Sequence, residues 1–395
     1  MTNRISGHSD ARGLSAVDIL AELVAIDVLP GHANTRMVDW ISTYLSGLGV
    51  PVETLPGPDA GRSNLFATIG PRDKAGYILS GHMDVVPVEG QPWTSNPFKL
   101  TQTDGRLVGR GTSDMKGFLA CVLASVPLFQ SSGLSRPIHL AFSYDEEIGC
   151  RGVPHMIEKL PDLCTSPLGC LVGEPTGLKP VLAHKGKQAR SFVFQGKSAH
   201  SSTPGLGENA IYPAADLITH ARKLALGLAE TGPRDDRFDP PFTTVVAGVV
   251  SGGSAVNIIP ENCVVDIEVR TVPGVDAGGV MKILVEQQIE MGRAAKEEGR
   301  SLGVSSQLLS SYPALAPTEN TELIALAEQL SGSAAVQSVS YGTEAGLFAG
   351  AGIDTVICGP GDMSRAHKAD EFVLAEELDS CTAMLAGLAA ELSSS

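Results

Sequence analysis

Apolar residues in this chain fall into two kinds of run. Val38, Ile41, Leu45 and Leu48 recur at helical spacing after Asn34-Thr35, a pair suited to capping a helix. Short apolar stretches follow at Leu65–Ile69, Tyr77–Leu79, Ile138–Phe142, Gly169–Val172 and Thr355–Cys358. Helical patterns lie between them, including Gly117–Phe129 and Thr321–Leu330. Short buried strands alternating with helices predict an α/β fold, a mixed sheet covered by helices. The middle of the chain is patterned differently. Gln188–Gln195, Thr243–Val250, Glu261–Thr271 and Val304–Tyr312 read as strands, with helical runs at Asn209–Leu228 and Gly279–Ala295. That order, β-α-β-β-α-β, is the ferredoxin-like α+β arrangement. We therefore expect one domain built from 1–181 and 314–395, interrupted by an inserted domain at 182–313.

Length agrees with two domains, because 395 residues exceed the size at which a single core keeps growing. Charge narrows the partners. The chain carries 29 basic against 44 acidic residues, a net −15, with no dense run of Lys or Arg. Phosphate backbones need clustered positive charge, so no nucleic acid is expected. The longest strongly apolar stretch, Phe118–Phe129, is too short to cross a bilayer and contains Ser125 and Pro127. It reads as a buried helix, and no membrane association is expected. Residues 1–13 are polar and lack the apolar core of a signal peptide, and seven cysteines without a CxxC pair suit a reducing compartment. A cytoplasmic chain is the expectation.

Polar clusters follow several apolar runs at once: His82-Met83-Asp84, Asp145-Glu146-Glu147, Glu174, and the stretch leading to His367. Ligands of α/β folds gather at the carboxyl edge of the strands, so these clusters point to one site. Asp114 joins them from the glycine-rich stretch before the Gly117–Phe129 helix. His82 and Asp84 are two apart, which directs both side chains the same way; one could hold a metal while the other orients the imidazole. Glu146 and Glu147 are adjacent, so one could bind metal while the other faces a water. Singly, each piece has an ordinary reading as a cap or a solvated charge. Together they would repel and desolvate one another unless a cation neutralised them. Imidazole with carboxylate is a normal zinc ligand set, and one zinc needs only three or four donors, so five suggest two ions sharing a carboxylate. HExxH, GxSxG and Walker A patterns are absent, which weakens serine-hydrolase and kinase readings.

Four stretches, Gly81–Pro87, Gly111–Gly117, Asp145–Gly149 and Gly173–Thr176, together with Ala366–Glu371, resemble the metal motifs of a known family. It is the zinc peptidase and deacylase family that contains acetylornithine deacetylase, succinyl-diaminopimelate desuccinylase, aminoacylase and glutamate carboxypeptidase. The resemblance implies that His82 and Glu174 hold one Zn2+ and that Glu147 and His367 hold the other, with Asp114 bridging. Two zincs per subunit are expected, with Co2+ a possible substitute. It further implies that Asp84 orients His82, that Glu146 is the general base, and that the Asp114–Met115 peptide is cis. The inserted domain would act as a lid or dimerisation domain. His200, in Lys197–Ser202, resembles a family histidine that reaches the neighbouring subunit's site and steadies the tetrahedral oxyanion, which implies a homodimer.

Substrate contacts are implied in the same way. Arg270, which has no evident acidic partner nearby in sequence, would grip a substrate carboxylate, a task its guanidinium suits. Asn257 would contact substrate, and Lys185, Thr343 and Glu344 would line the pocket. The segments Gly173–Gly186 and Ser340–Ala345 look most like acetylornithine deacetylase. The implied reaction converts N2-acetyl-L-ornithine to ornithine and acetate in arginine biosynthesis, with Glu344 facing the cationic side chain. A desuccinylase or another acyl amino acid deacylase or dipeptidase is the alternative. A catalytically silent, metal-containing peptide-binding protein is the different class, and the retained Glu146 speaks against it.

Overall fold

The computed structural model describes residues 13–394 and divides the chain into two compact units. The polar stretch 1–12 lies outside the described residues. The first unit runs to Leu182 and takes in Thr318–Val336 and Ala351 onward. Its six-stranded sheet has the order Val52–Pro56, Ser63–Ile69, Ile138–Ser143, Tyr77–His82, Gly169–Pro175, Thr355–Gly359. The first two pairings are antiparallel and the remaining three parallel, so the sheet is mixed. Central strands buried on both faces cannot alternate polar and apolar residues, and Ile138–Ser143 and Gly169–Pro175 are buried throughout.

The Lys116–Ser131 helix lies at the centre of this core, with Phe118, Leu119, Val122 and Phe129 buried. The C-terminal helix Ala375–Ser394 packs against it through residues such as Leu378, Leu385 and Leu388. Asn34 occupies the N-cap position of Thr35–Gly47, but its side chain makes no cap hydrogen bond. It pairs instead with the backbone of Ser63, donating to the carbonyl at 2.8 Å and accepting from the amide at 3.0 Å. A three-stranded sheet of Thr101–Thr103, Arg106–Val108 and Phe372–Leu374 joins two distant segments. Its register sets Phe372 opposite Val108.

The second unit comprises Ala183–Pro317 and Gln337–Gly350. Strands Gly186–Gln195, Thr244–Gly252, Asn262–Thr271 and Gly303–Tyr312 form an antiparallel sheet in the order fourth, first, third, second. Helices Ile211–Thr231 and Ala277–Glu297 complete the ferredoxin-like pattern, packing Leu217, Met281 and Leu284 with Phe192, Phe194 and Val265. Residues 337–350 are an excursion that local patterning does not signal. Val339 donates its amide to Ala183, and Gly346 donates to Nε2 of buried His184 at 3.2 Å, which ties this segment to the inserted unit.

Candidate metal centre

Parallel pairing puts the carboxyl ends of three neighbouring strands side by side. His82 ends one of them, Glu174 lies near the end of the next, and Asp145-Glu146-Glu147 directly follows the third. Asp114 enters from the loop before the Lys116–Ser131 helix, and its peptide bond to Met115 is cis. His367 follows the Thr355–Gly359 strand in a loop where it has φ +60, a left-handed conformation unusual outside glycine.

The side chains converge. His82 Nε2 lies 3.0 Å from Asp114 Oδ1 and 3.8 Å from Glu174 Oε1. His367 Nε2 lies 3.2 Å from Asp114 Oδ2 and 3.1 Å from Glu147 Oε2. Asp114 therefore presents one oxygen to each imidazole. Donors at about 2.1 Å from a tetrahedral zinc are about 3.4 Å apart along the tetrahedron's edge, and the four separations bracket that length. Donor atoms of His82, Asp114 and Glu147 lie within 4.8 Å of one another, as do those of His82, Glu146 and Glu174.

Electrostatics favour a cation here. Burial pushes the Glu174 carboxyl well above its usual range, and repulsion from Asp114 and Glu146 adds to it. Burial and the Asp114 charge raise Glu147 to about 7. Burial opposes charging of His82, yet its bond to Asp114 and the surrounding carboxylates hold the imidazolium well above the ordinary value. Hydrogen bonds to Asp114 and Glu147 raise His367 to about 10. Asp114, though buried, is held below the usual carboxylate range by both imidazoles. Protons thus compensate a crowded acidic site, and metal ions would displace them.

Asp84 does something more specific than expected from its spacing. Its carboxylate, fully buried, accepts the amides of Glu146 at 3.1 Å and Glu147 at 3.2 Å. His82 Nδ1 lies 2.9 Å from the Asp84 carbonyl oxygen and 3.8 Å from its Oδ1. The backbone of Asp84 thus meets the imidazole, while its side chain aims the glutamate pair. Asp145, at φ +56, anchors the same turn by accepting the Gly31 amide at 2.8 Å and pairing with Arg62.

In the second unit, His200 lies beyond its strand, in an exposed loop bridged to Ile258, with Nδ1 2.7 Å from Ser202 Oγ. Asn257 is exposed beside it and accepts the Ser201 amide at 3.0 Å. The expectation that Arg270 lacks a nearby acidic partner is corrected by the fold. Glu268, two positions back on the same strand face, accepts from Arg270 Nε at 2.6 Å. Lys185 is buried and donates to the carbonyls of Pro240 at 2.7 Å and Phe242 at 3.0 Å. Thr343 is buried, its hydroxyl accepting the Ala345 amide at 3.0 Å, and Glu344 is buried next to it. All seven cysteines are free. Among the described residues, no helix is long and apolar enough to cross a membrane.

Arg110, Gln91 and Lys116 have no role in the reading of the sequence; Arg110 and Gln91 donate to the loop that bears His367, and Lys116 donates to the carbonyls of Leu23 at 3.0 Å and Ile26 at 2.8 Å. The available signal was a pair of cations, Arg110 and Lys116, inside the glycine-rich stretch Gly109–Gly117; only the fold shows that both are fully buried.

The model of Peptidase family M20/M25/M40 matches residues 78–391. An acetylornithine deacetylase of Proteus mirabilis is 33% identical over 88% of both chains. One from Myxococcus xanthus is 34% identical over 93% of this chain and 94% of its own. Among solved structures, an M20 family metallo-carboxypeptidase from Sulfolobus solfataricus superposes with a TM-score of 0.76 at 19% identity, covering 96% of this chain and 99% of that one. At that identity the superposition speaks for the fold. The family match covers most of the chain, and the chain belongs to Peptidase family M20/M25/M40, the metal-dependent M20 peptidases and deacylases.

Proposed function

We propose that this enzyme is a di-zinc amidohydrolase that releases the acyl group from an N-acyl amino acid, with N2-acetyl-L-ornithine as substrate and ornithine and acetate as products. Arginine biosynthesis in the cytoplasm is the corresponding setting. The observation that carries the metal assignment is Asp114, whose two oxygens lie 3.0 and 3.2 Å from two different imidazoles. We assign His82 and Glu174 to one ion, Glu147 and His367 to the other, and Asp114 to both. The similarity to acetylornithine deacetylases over most of the chain supports the substrate class.

When bound, the ions would lower the pKa of a bound water to roughly 7 and polarise the substrate carbonyl. Glu146 then has the task of general base. Its backbone is fixed by Asp84, and its carboxylate shares the cluster of His82 and Glu174. It takes the proton from the attacking water as the oxygen joins the acyl carbon, then returns that proton to the nitrogen as the C–N bond breaks. Free amine and carboxylate result. His200 would steady the tetrahedral oxyanion in the site of a partner subunit, with the homodimer formed through the inserted unit.

Arg270, which Glu268 and Tyr312 also engage, would hold the substrate carboxylate, and Asn257 would add a polar contact. Glu344 would meet the cationic side chain, in a pocket lined by Thr343 and Lys185. A panel of N-acetyl and N-succinyl amino acids, assayed for amine release with metal content determined in parallel, tests the proposal. N-acetylornithine should be turned over fastest. A preference for succinyl-diaminopimelate would move the substrate, and two zincs without turnover of any substrate would favour a silent peptide-binding protein.

A further inference from the structure

Arg110 is among the largest fully buried side chains in the described residues, and no step above uses it. Its Nη1 donates to Glu371 Oε2 at 2.5 Å and to the Lys368 carbonyl at 3.3 Å. Its Nη2 donates to Gln91 Oε1, and its guanidinium carbon lies 5.0 Å from the Trp93 ring centre. Glu371 is equally buried, and its other oxygen accepts the amides of Ser113 at 2.9 Å and Asp114 at 3.0 Å. Gln91 in turn donates to the carbonyl of His367 at 3.1 Å.

These contacts converge on two backbone segments. One bears Asp114, the carboxylate shared by both imidazoles. The other bears His367, which together with Asp370 stands at positive φ, so its loop holds a conformation that non-glycine residues resist. The small sheet explains how the partners meet: pairing of Phe372 with Val108 brings Glu371 beside Gly109, whose amide donates to the Glu371 carbonyl at 2.9 Å. Two residues 261 positions apart thereby form a charge pair shielded from water.

We propose that the Arg110–Glu371 pair, extended by Gln91, is a positioning strut that sets the spacing between Asp114 and His367 and so governs affinity for the second metal ion. None of the three supplies a ligand. They act on the backbone of the ligands, where an error of a few tenths of an ångström would pull His367 away from the Asp114 oxygen it shares an ion with. The proposal rests on the two-ion assignment above, and the test separates the two.

Metal-free protein is titrated with Co2+ by equilibrium dialysis, giving two stepwise constants, with far-UV circular dichroism as the control for folding. Wild type should take up two ions. Glu371→Gln keeps an acceptor for the amides but turns an amide N–H toward Arg110. Gln91→Ala leaves the buried pair intact and serves if the first variant fails to fold. Both should weaken the second binding step, about ten- to a hundredfold for Glu371→Gln and less for Gln91→Ala, with the first step changed much less. Restoration of the second step in Glu371→Gln by Arg110→Gln, which offers an amide oxygen to the new donor, would be the expected rescue. Lower unfolding stability with both steps unchanged would overturn the strut and leave the two-ion assignment standing. Uptake of fewer than two ions by wild type would overturn both.

Discussion

Gly173 precedes Glu174 on a buried strand, and a methyl group there has nowhere to go. A Cβ built on Gly173 lies 2.1 Å from Cδ1 and Cγ of Phe118. Ordinary carbon contacts lie at about 3.5 Å, so Gly173→Ala creates an overlap of about 1.4 Å. Phe118 is fully buried and sits in the first turn of the Lys116–Ser131 helix, so the ring cannot swing away. Relief must come from separating strand and helix. The cost belongs at the upper end of overpacking, about 3 kcal/mol. Both displaced segments bear candidate ligands, because Glu174 follows the substituted residue and Asp114 precedes the helix. Metal affinity should therefore fall with stability, by about tenfold or more. Urea unfolding of the metal-free protein gives the first quantity and Co2+ titration the second. Adding Phe118→Leu should recover part of both losses, since the two residues touch and their effects should not add. A Gly173→Ala protein within about 0.5 kcal/mol of wild type and with unchanged metal binding would refute the reasoning.

Glu146→Ala should keep both metal ions and lower turnover by about 10²- to 10⁴-fold, the usual worth of a general base; loss of metal would contradict its assigned role. His200→Ala should lower turnover by about a hundredfold while sparing metal. Mixing it with Glu146→Ala should restore activity through heterodimers in which one site has both groups, and failure of rescue counts against sharing across subunits. His139 is buried, bonded to Thr68 Oγ1 at 3.0 Å, and burial lowers its pKa to about 4. In the unfolded chain it titrates near 6.5, so the unfolded state binds the extra proton first as pH falls. Stability is full above pH 6.5, declines as pH drops toward 4, and loses about 3 kcal/mol from this group. His139→Asn should flatten that decline in urea midpoints; equal slopes in both proteins would rule the histidine out as its source.

Much of the molecule was legible from local pattern. Each strand of the central sheet foreseen from an apolar run is present with slightly wider bounds, as Ile138–Phe142 became Ile138–Ser143. Strand period and helix period are properties of a few consecutive residues, and a polar cluster directly after a buried strand marks its ligand edge. The ferredoxin-like order of the inserted segment was readable for the same reason. So were the residues of the candidate centre, because His82, Glu146, Glu147 and Glu174 are set by their distance from strand ends.

Only the tertiary structure decided what depends on residues far apart in the chain. That Asp114 offers one oxygen to His82 and the other to His367 follows from strand order and loop path, and neither leaves a periodic trace. Nor does the docking of 337–350 onto the inserted unit, or the meeting of Arg110 with Glu371. Spacing left open which of His82 and Asp84 orients the other, and the family resemblance assigned that task to Asp84; the folded turn delivers two amides to the Asp84 carboxylate and the Asp84 carbonyl oxygen to the imidazole. The Glu268–Arg270 pair is a smaller case: it lay within two residues, but only strand geometry put both charges on one face. A sequence states which groups are available and which way each segment faces. Which of them share a cation or a buried charge is settled by distances that close only when the whole chain has packed.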